Sequence, residues 1–217
     1  MKLMMTLAAA TMAATPAMAQ DRGAYVGLDV GYAFAPDLEL ATDATRDDPG
    51  YAFMTDGYDI AGTVGYDFGR FRLEGEIGYS DVGLDGSQAP QNDPVGMGTR
   101  WDAVGGVKTT RYMINALVDF GQPGRVNGFA GAGIGGADLD LYIRNEPFDI
   151  PIFDDKDGSF AWQLLAGVRV PVSSKLDAVA KYRFFNAPGA EWENFFGREE
   201  GDTYRTHTIS AGVQLRF

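Results

Sequence analysis

The sequence predicts an all-β fold, an eight-stranded antiparallel up-and-down barrel that crosses a membrane, and three observations carry that expectation. Short segments alternate apolar with small or polar side chains, the period-two pattern of a strand with one face in grease and one in water. Very short connections take turns with long ones along the chain, as in bacterial outer-membrane barrels. A leader of secretory type precedes the first segment.

The leader is residues 1–19. Lys2 precedes an apolar stretch of Leu, Met and Ala, and Ala17-Met18-Ala19 supplies the exit, so cleavage is expected before Gln20. An N-terminal anchor is the other reading, but the apolar part is shorter than the ~20 residues a spanning helix needs. Residues 20–217 are then one β domain, with no later apolar run of spanning length and no cysteine to form a disulfide.

Strands are expected at residues 24–34, 58–68, 71–81, 110–120, 127–143, 159–171, 176–186 and 204–217. Gly69-Arg70, Gly121–Arg125 and Val172–Lys175 read as tight turns with suitable Gly, Pro and Ser chemistry. Residues 35–57, 82–109, 144–158 and 187–203 read as long links, and with both chain ends on the short-turn side these face outside the cell.

Parity assigns the faces. The apolar face carries Val26, Leu28, Val30, Ile60, Val64, Leu73, Ile77, Ile114, Val118, Leu164, Val168, Ile209, Val213 and Leu215. Aromatics bound it in two belts. Tyr66, Phe68, Phe71, Phe120, Phe129 and Phe217 are expected near the short-turn rim; Tyr32, Phe34, Tyr58, Tyr79, Tyr112, Phe160, Trp162, Tyr182 and Phe184 near the other. The fifth strand is Gly-rich from Gly128 to Gly136, so its register could slip or bulge at Gly135-Gly136, and Leu139, Leu141 and Ile143 are carried outward there.

The other parity holds Asp29, Asp59, Asp67, Arg72, Glu74, Glu76, Arg111, Asn115, Asp119, Asp138, Asp140, Gln163, Arg169, Asp177, Lys181, Arg183 and Arg216. Charges within strands are costly against hydrocarbon, so this face is expected to look into the barrel. The four long links hold 19 acidic and 6 basic residues, and the rest of the chain after the leader holds 11 of each. A balanced body points to ions paired across a filled lumen, with Asp29, Asp59, Arg72, Glu74, Glu76, Arg111, Asp119, Arg169, Lys181 and Arg183 as its network. A soluble barrel storing apolar ligands would need the reverse polarity, charges out and rings in.

At this point the chain resembles the outer-membrane β-barrel domains of the OmpA, OmpX and opacity-antigen superfamily. Gly23-Ala-Tyr-Val-Gly-Leu-Asp-Val-Gly31, Val64-Gly-Tyr-Asp-Phe-Gly69 and the C-terminal strand ending in Phe217 carry the likeness. It implies an integral protein of the bacterial outer membrane, in contact with lipid and lipopolysaccharide. It also implies assembly by the insertion machinery, which reads a final strand ending in an aromatic; Val213, Leu215 and Phe217 match. OmpA relatives often add a periplasmic peptidoglycan-binding domain; this chain ends at its eighth strand, a departure that leaves wall anchoring outside what the resemblance implies.

Catalysis is not expected. His207 is the one histidine, and lipid A deacylases of similar barrel size carry a His-x-Ser pair where this chain reads His207-Thr-Ile209. Three functional classes remain: a structural or surface-interaction role first, then a small-solute channel, and last a lipid A-modifying enzyme, which would have to act through His207. No cofactor and no metal centre is expected; Asp47-Asp48, Asp154-Asp155-Lys-Asp157-Gly158 and Glu199-Glu200-Gly-Asp202 are only candidate divalent-cation ligands bridging to lipopolysaccharide. The acidic net charge of −12 argues against nucleic acid.

Overall fold

The tight turns set the barrel's frame. Phe68 N donates to Phe71 O at 2.8 Å around Gly69-Arg70, with Gly69 in the left-handed region at φ 105°. Val172 N and Ser173 N both donate to Leu176 O, at 2.8 and 3.0 Å, closing the Val172–Lys175 turn. In the computed structural model, the described residues are 22–40, 50–88, 100–121, 125–145, 150–193 and 199–217. The leader, with its expected cleavage point, and Asp47-Asp48 lie outside them.

The strands are β1 (Gly23–Phe34), β2 (Leu38–Leu40), β3 (Gly50–Asp67), β4 (Phe71–Gln88), β5 (Arg100–Phe120), β6 (Asn127–Asn145), β7 (Ile150–Pro171), β8 (Leu176–Glu193) and β9 (Glu199–Arg216). Each of β3 to β9 pairs antiparallel with its chain neighbour, and β1 pairs with both β3 and β9. Eight strands therefore close the wall, and short β2 lies along β3.

The wall is taller than the sequence reading expected, because parts of all four long links are strand. An 18-residue strand at about 3.3 Å per residue and a tilt of about 40° rises about 45 Å, against an apolar band about 25 Å tall. The upper wall therefore stands in water, and its alternation is inverted. Val82, Leu84, Val107, Leu139, Leu141, Ile143, Phe185 and Tyr204 are buried inside it. The outward positions there include the exposed Asp56 and Asp138 and the half-buried Asp81, Lys108 and Asp140. A search for outward grease reads such a stretch as loop.

The same inversion corrects β6. Leu139, Leu141 and Ile143 point inward and are fully buried, while Asp138 and Asp140 occupy the outward parity instead of the lumen. The register does not slip: β5 and β6 pair without a shift from Ala103↔Asn145 to Phe120↔Gly128. The glycines of β6 have a steric cause. An added Cβ on Gly133 would overlap Asn115, and one on Gly131 would overlap Leu117, its directly opposite partner. Side chains of β5 lie flat over this bare strip.

Two joins in the upper wall stop short, and the one between β7 and β8 is bridged by a side chain. The β7–β8 ladder ends at Trp162↔Asn186, and the β1–β9 ladder at Phe34↔His207. Pro188 has no N–H to give, Gly189 adopts φ 71°, and the β8–β9 register shifts between Ala187 and Ala190. Ser159 Oγ bridges this break by donating to Pro188 O at 3.0 Å.

Candidate functional site

Two features of the barrel carry its chemistry: the ion network in the lumen and the aromatic girdle outside.

All ten residues expected in the lumen network are buried. The central cluster joins β3, β4, β5 and β8. Arg111 makes a bidentate pair with Asp59, Nη1 to Oδ2 at 2.6 Å and Nη2 to Oδ1 at 3.0 Å. Its Nε donates to Glu76 Oε1 at 3.0 Å. Arg183 meets the same two acids, Nη1 to Asp59 Oδ1 and Nη2 to Glu76 Oε1, both 2.9 Å. The other Glu76 oxygen accepts from Asn115 Nδ2 at 3.1 Å, and Gln163 Nε2 donates to Asn115 Oδ1 at 2.7 Å. Planar guanidinium forks facing shared carboxylates form a fixed crosspiece, each charge held by partners on several strands. Arg111 reaches this place over Gly78, its cross-strand partner, where any Cβ would overlap the guanidinium.

A second cluster lies nearer the short turns. Arg72 Nε donates to Asp119 Oδ2 at 2.9 Å and Nη1 to Glu74 Oε1 at 3.2 Å. Arg169 Nη1 pairs with Asp67 Oδ2 at 3.0 Å and Nη2 with Asp119 Oδ2 at 3.5 Å. Lys181 Nζ meets Asp29 Oδ2 at 2.6 Å, and Arg216 Nη2 meets Asp177 Oδ1 at 3.0 Å.

The sequence reading leaves out two members, although Tyr25 shares the inward parity of Asp29. Tyr25 is buried and its hydroxyl donates to Glu74 Oε1 at 2.6 Å. Phe129, expected in the inner belt, points into the lumen instead, with the Arg72 guanidinium 4.7 Å from its ring centroid. Both face a cross-strand glycine that makes room for the ring, Gly65 opposite Tyr25 and Gly167 opposite Phe129. A bulky residue facing an inward glycine was the signal available. Above the ions the lumen turns apolar, and burial raises the Tyr204 phenol there, so it stays neutral.

The expected belt rings other than Phe129 are on the outer face, from exposed Phe217 and Phe71 to half-buried Phe34, Tyr79, Trp162 and Phe184. Several touch: Tyr66 and Phe68 centroids lie 4.7 Å apart, Tyr58 and Tyr79 6.1 Å, Trp162 and Phe184 5.5 Å. His207 belongs to this surface too. Its ring stacks on Phe34 at 5.2 Å, packs 5.2 Å from Phe184, and its Nδ1 lies 2.7 Å from the Tyr182 hydroxyl. Among the described residues its contacts are the rings of Phe34, Tyr182 and Phe184 and the Tyr182 hydroxyl.

Asp154, Asp155, Glu199, Glu200 and Asp202 lie on strand backbone, but their side chains fall outside the described part. Among the described residues no three carboxylate or imidazole groups gather as a metal site.

Comparison places these features among known proteins. Residues 5–217 match the family described as outer membrane protein beta-barrel domain. Neisserial surface protein A is 18% identical, with a TM-score of 0.53 over 90% of this chain and 97% of that one. A major outer membrane protein of Thermus thermophilus is 13% identical, with a TM-score of 0.54 over 89% and 99%. OprG of Pseudomonas aeruginosa is 9% identical, at 0.54 over 90% and 97%. At these identities the likeness is one of fold. No curated protein sequence matches the chain.

Proposed function

The chain belongs to the outer membrane protein β-barrel domain family and resides in the bacterial outer membrane, and from that premise we propose a sealed barrel with a structural or surface-interaction role. One observation carries the reading. The Arg111, Arg183, Asp59, Glu76 cluster ties four strands together across the lumen, with every one of these side chains at least 98% buried. A water path wide enough for solute would hydrate those groups. The apolar packing of Leu139, Leu141, Phe185 and Tyr204 above them adds a second barrier.

Purified protein in planar bilayers is expected to give no unitary conductance steps, although its compact, heat-modifiable band on gels reports a folded barrel. Steady ohmic steps from that compact species would replace the sealed reading with a small-solute channel.

Assembly is proposed to proceed through the outer-membrane insertion machinery, with Val213, Leu215 and Phe217 as the recognised outward set of β9. Phe217 is 73% exposed, and its backbone N–H donates to Ala24 O at 3.0 Å at the β1–β9 seam. Deleting Phe217 should lower the folded amount in cells about tenfold while sparing unassisted refolding in detergent, since only one exposed ring and one terminal hydrogen bond are lost. Equal loss in both settings would make Phe217 a fold residue and nothing more.

A further inference from the structure

Tyrosine and carboxylate meet where the wall leaves the membrane. One outward cross-strand row runs from Tyr32 on β1 through Tyr58 on β3, Asp81 on β4 and Lys108 on β5 to Asp140 on β6. Strands tilt in a closed barrel, so a row in register climbs as it goes round. It passes from the aromatic belt at Tyr32 and Tyr58 into water by Lys108 and Asp140. Tyr79 lies on the same outward face, opposite Ile60 and two residues before Asp81. Tyr58 and Tyr79 are thus diagonal neighbours, a spacing that aromatic side chains can span.

The two rings meet in a geometry suited to covalent coupling. Their centroids lie 6.1 Å apart at an interplanar angle of 42°, and the Tyr79 hydroxyl donates to that of Tyr58. A hydrogen bond between two phenols also draws together the ring carbons beside the hydroxyls. Tyr58 is 55% exposed and Tyr79 half-buried, so an oxidant in water reaches the first ring directly. Asp81, directly opposite Tyr58, supplies a carboxylate that can take a phenolic proton. Other outward tyrosines are engaged differently. Tyr32 donates to Asp56, Tyr142 donates to Asp81, and the Tyr182 hydroxyl is bonded to His207. Tyr25 and Tyr204 are buried in the lumen. Among the described residues, Tyr58 and Tyr79 make the one ring contact between two tyrosines.

We propose that Tyr58 and Tyr79 form an oxidative cross-linking site, which a peroxidase-type one-electron oxidant fed by hydrogen peroxide converts to dityrosine. Each phenol gives one electron to the oxidant and one proton to Asp81 or water. The two radicals couple through a new carbon–carbon bond between ortho positions, and the ortho protons return to the oxygens to restore both phenols. Two hydrogens leave the protein in all, and one hydrogen peroxide becomes two waters. The bond staples β3 to β4 just below the point where their register breaks, between Met54 and Gly57. A chain without cysteine has no disulfide for this task, and the cell exterior is an oxidising environment. The inference stands apart from the sealed-lumen reading, since no lumen residue takes part.

The protein is placed in phosphatidylcholine nanodiscs, one barrel in each, and treated with a peroxidase and hydrogen peroxide. Peptide mapping is expected to recover Tyr58 joined to Tyr79 as the main cross-link, two hydrogens lighter than the separate peptides together, with dityrosine fluorescence to match. Tyr79→Phe should abolish that fluorescence, and Tyr112→Phe, which alters another exposed belt ring, should keep it. In urea the oxidised chain should show a folded-to-unfolded ratio about 100-fold higher, the scale for closing a loop of about 20 residues. Cross-links spread over other tyrosine pairs, no loss of two hydrogens, fluorescence that persists in Tyr79→Phe, or an unshifted unfolding midpoint would each overturn the proposal. The mapping uses the unaltered chain and holds even where a variant fails to fold.

Discussion

Arg111→Met is expected to cost about 3–5 kcal/mol of unfolding free energy, the scale for removing one partner of a buried ion pair. Arg111 holds Asp59 through two hydrogen bonds and Glu76 through a third, and all three side chains are at most 2% exposed. Methionine fills a similar volume but leaves two carboxylates to share Arg183, whose geometry already serves both. Lysine would not restore the loss, because a single ammonium cannot span the Asp59 fork and Glu76 together. Urea unfolding in detergent micelles, followed by tryptophan fluorescence and the heat-modifiable band, measures the change. A loss under about 1 kcal/mol would show the lumen wet enough to solvate those acids.

Leu28→Arg is expected to cost about 2–4 kcal/mol in the same assay in lipid bilayers, the scale for a charge on the lipid face near the midplane. Leu28 is 53% exposed to what would be lipid, and its cross-strand partners are Gly62 and Val213, both outward. Leu28→Phe should be close to neutral, because the site is a surface without a packed neighbour to displace. A tolerated arginine would mean that this face meets water.

Much of this barrel is legible in the sequence because a strand's period of two leaves little choice where one face is lipid. The apolar outward rows and the ten inward network charges follow from that single rule, and the turns at Gly69-Arg70 and Val172–Lys175 from their Gly and Ser chemistry. The rule failed where its premise ended. Above the bilayer the solvent outside is water, so Leu139, Leu141 and Ile143 turn inward and Asp138 turns outward, with no break in pairing to mark the change. The glycines of β6 misled for a related reason. Their cause lies on β5, in Asn115 and Leu117, which a one-strand reading does not see. Phe129 needed the same two-strand view, whereas Tyr25 already shares the parity of Asp29. The ion partners were less legible still: parity tells who faces the axis, but only register brings Arg111 over Gly78 to Asp59 and Glu76.

The polarity of the wall is tested most directly by a nitroxide scan of residues 111–118 on β5. The chain has no cysteine, so each single-cysteine variant carries one label. In phosphatidylcholine vesicles the account predicts high oxygen accessibility at 112, 114, 116 and 118 and low accessibility to both oxygen and a water-soluble nickel chelate at 111, 113, 115 and 117. Oxygen accessibility peaking at the odd positions, or chelate accessibility at the even ones, would contradict it.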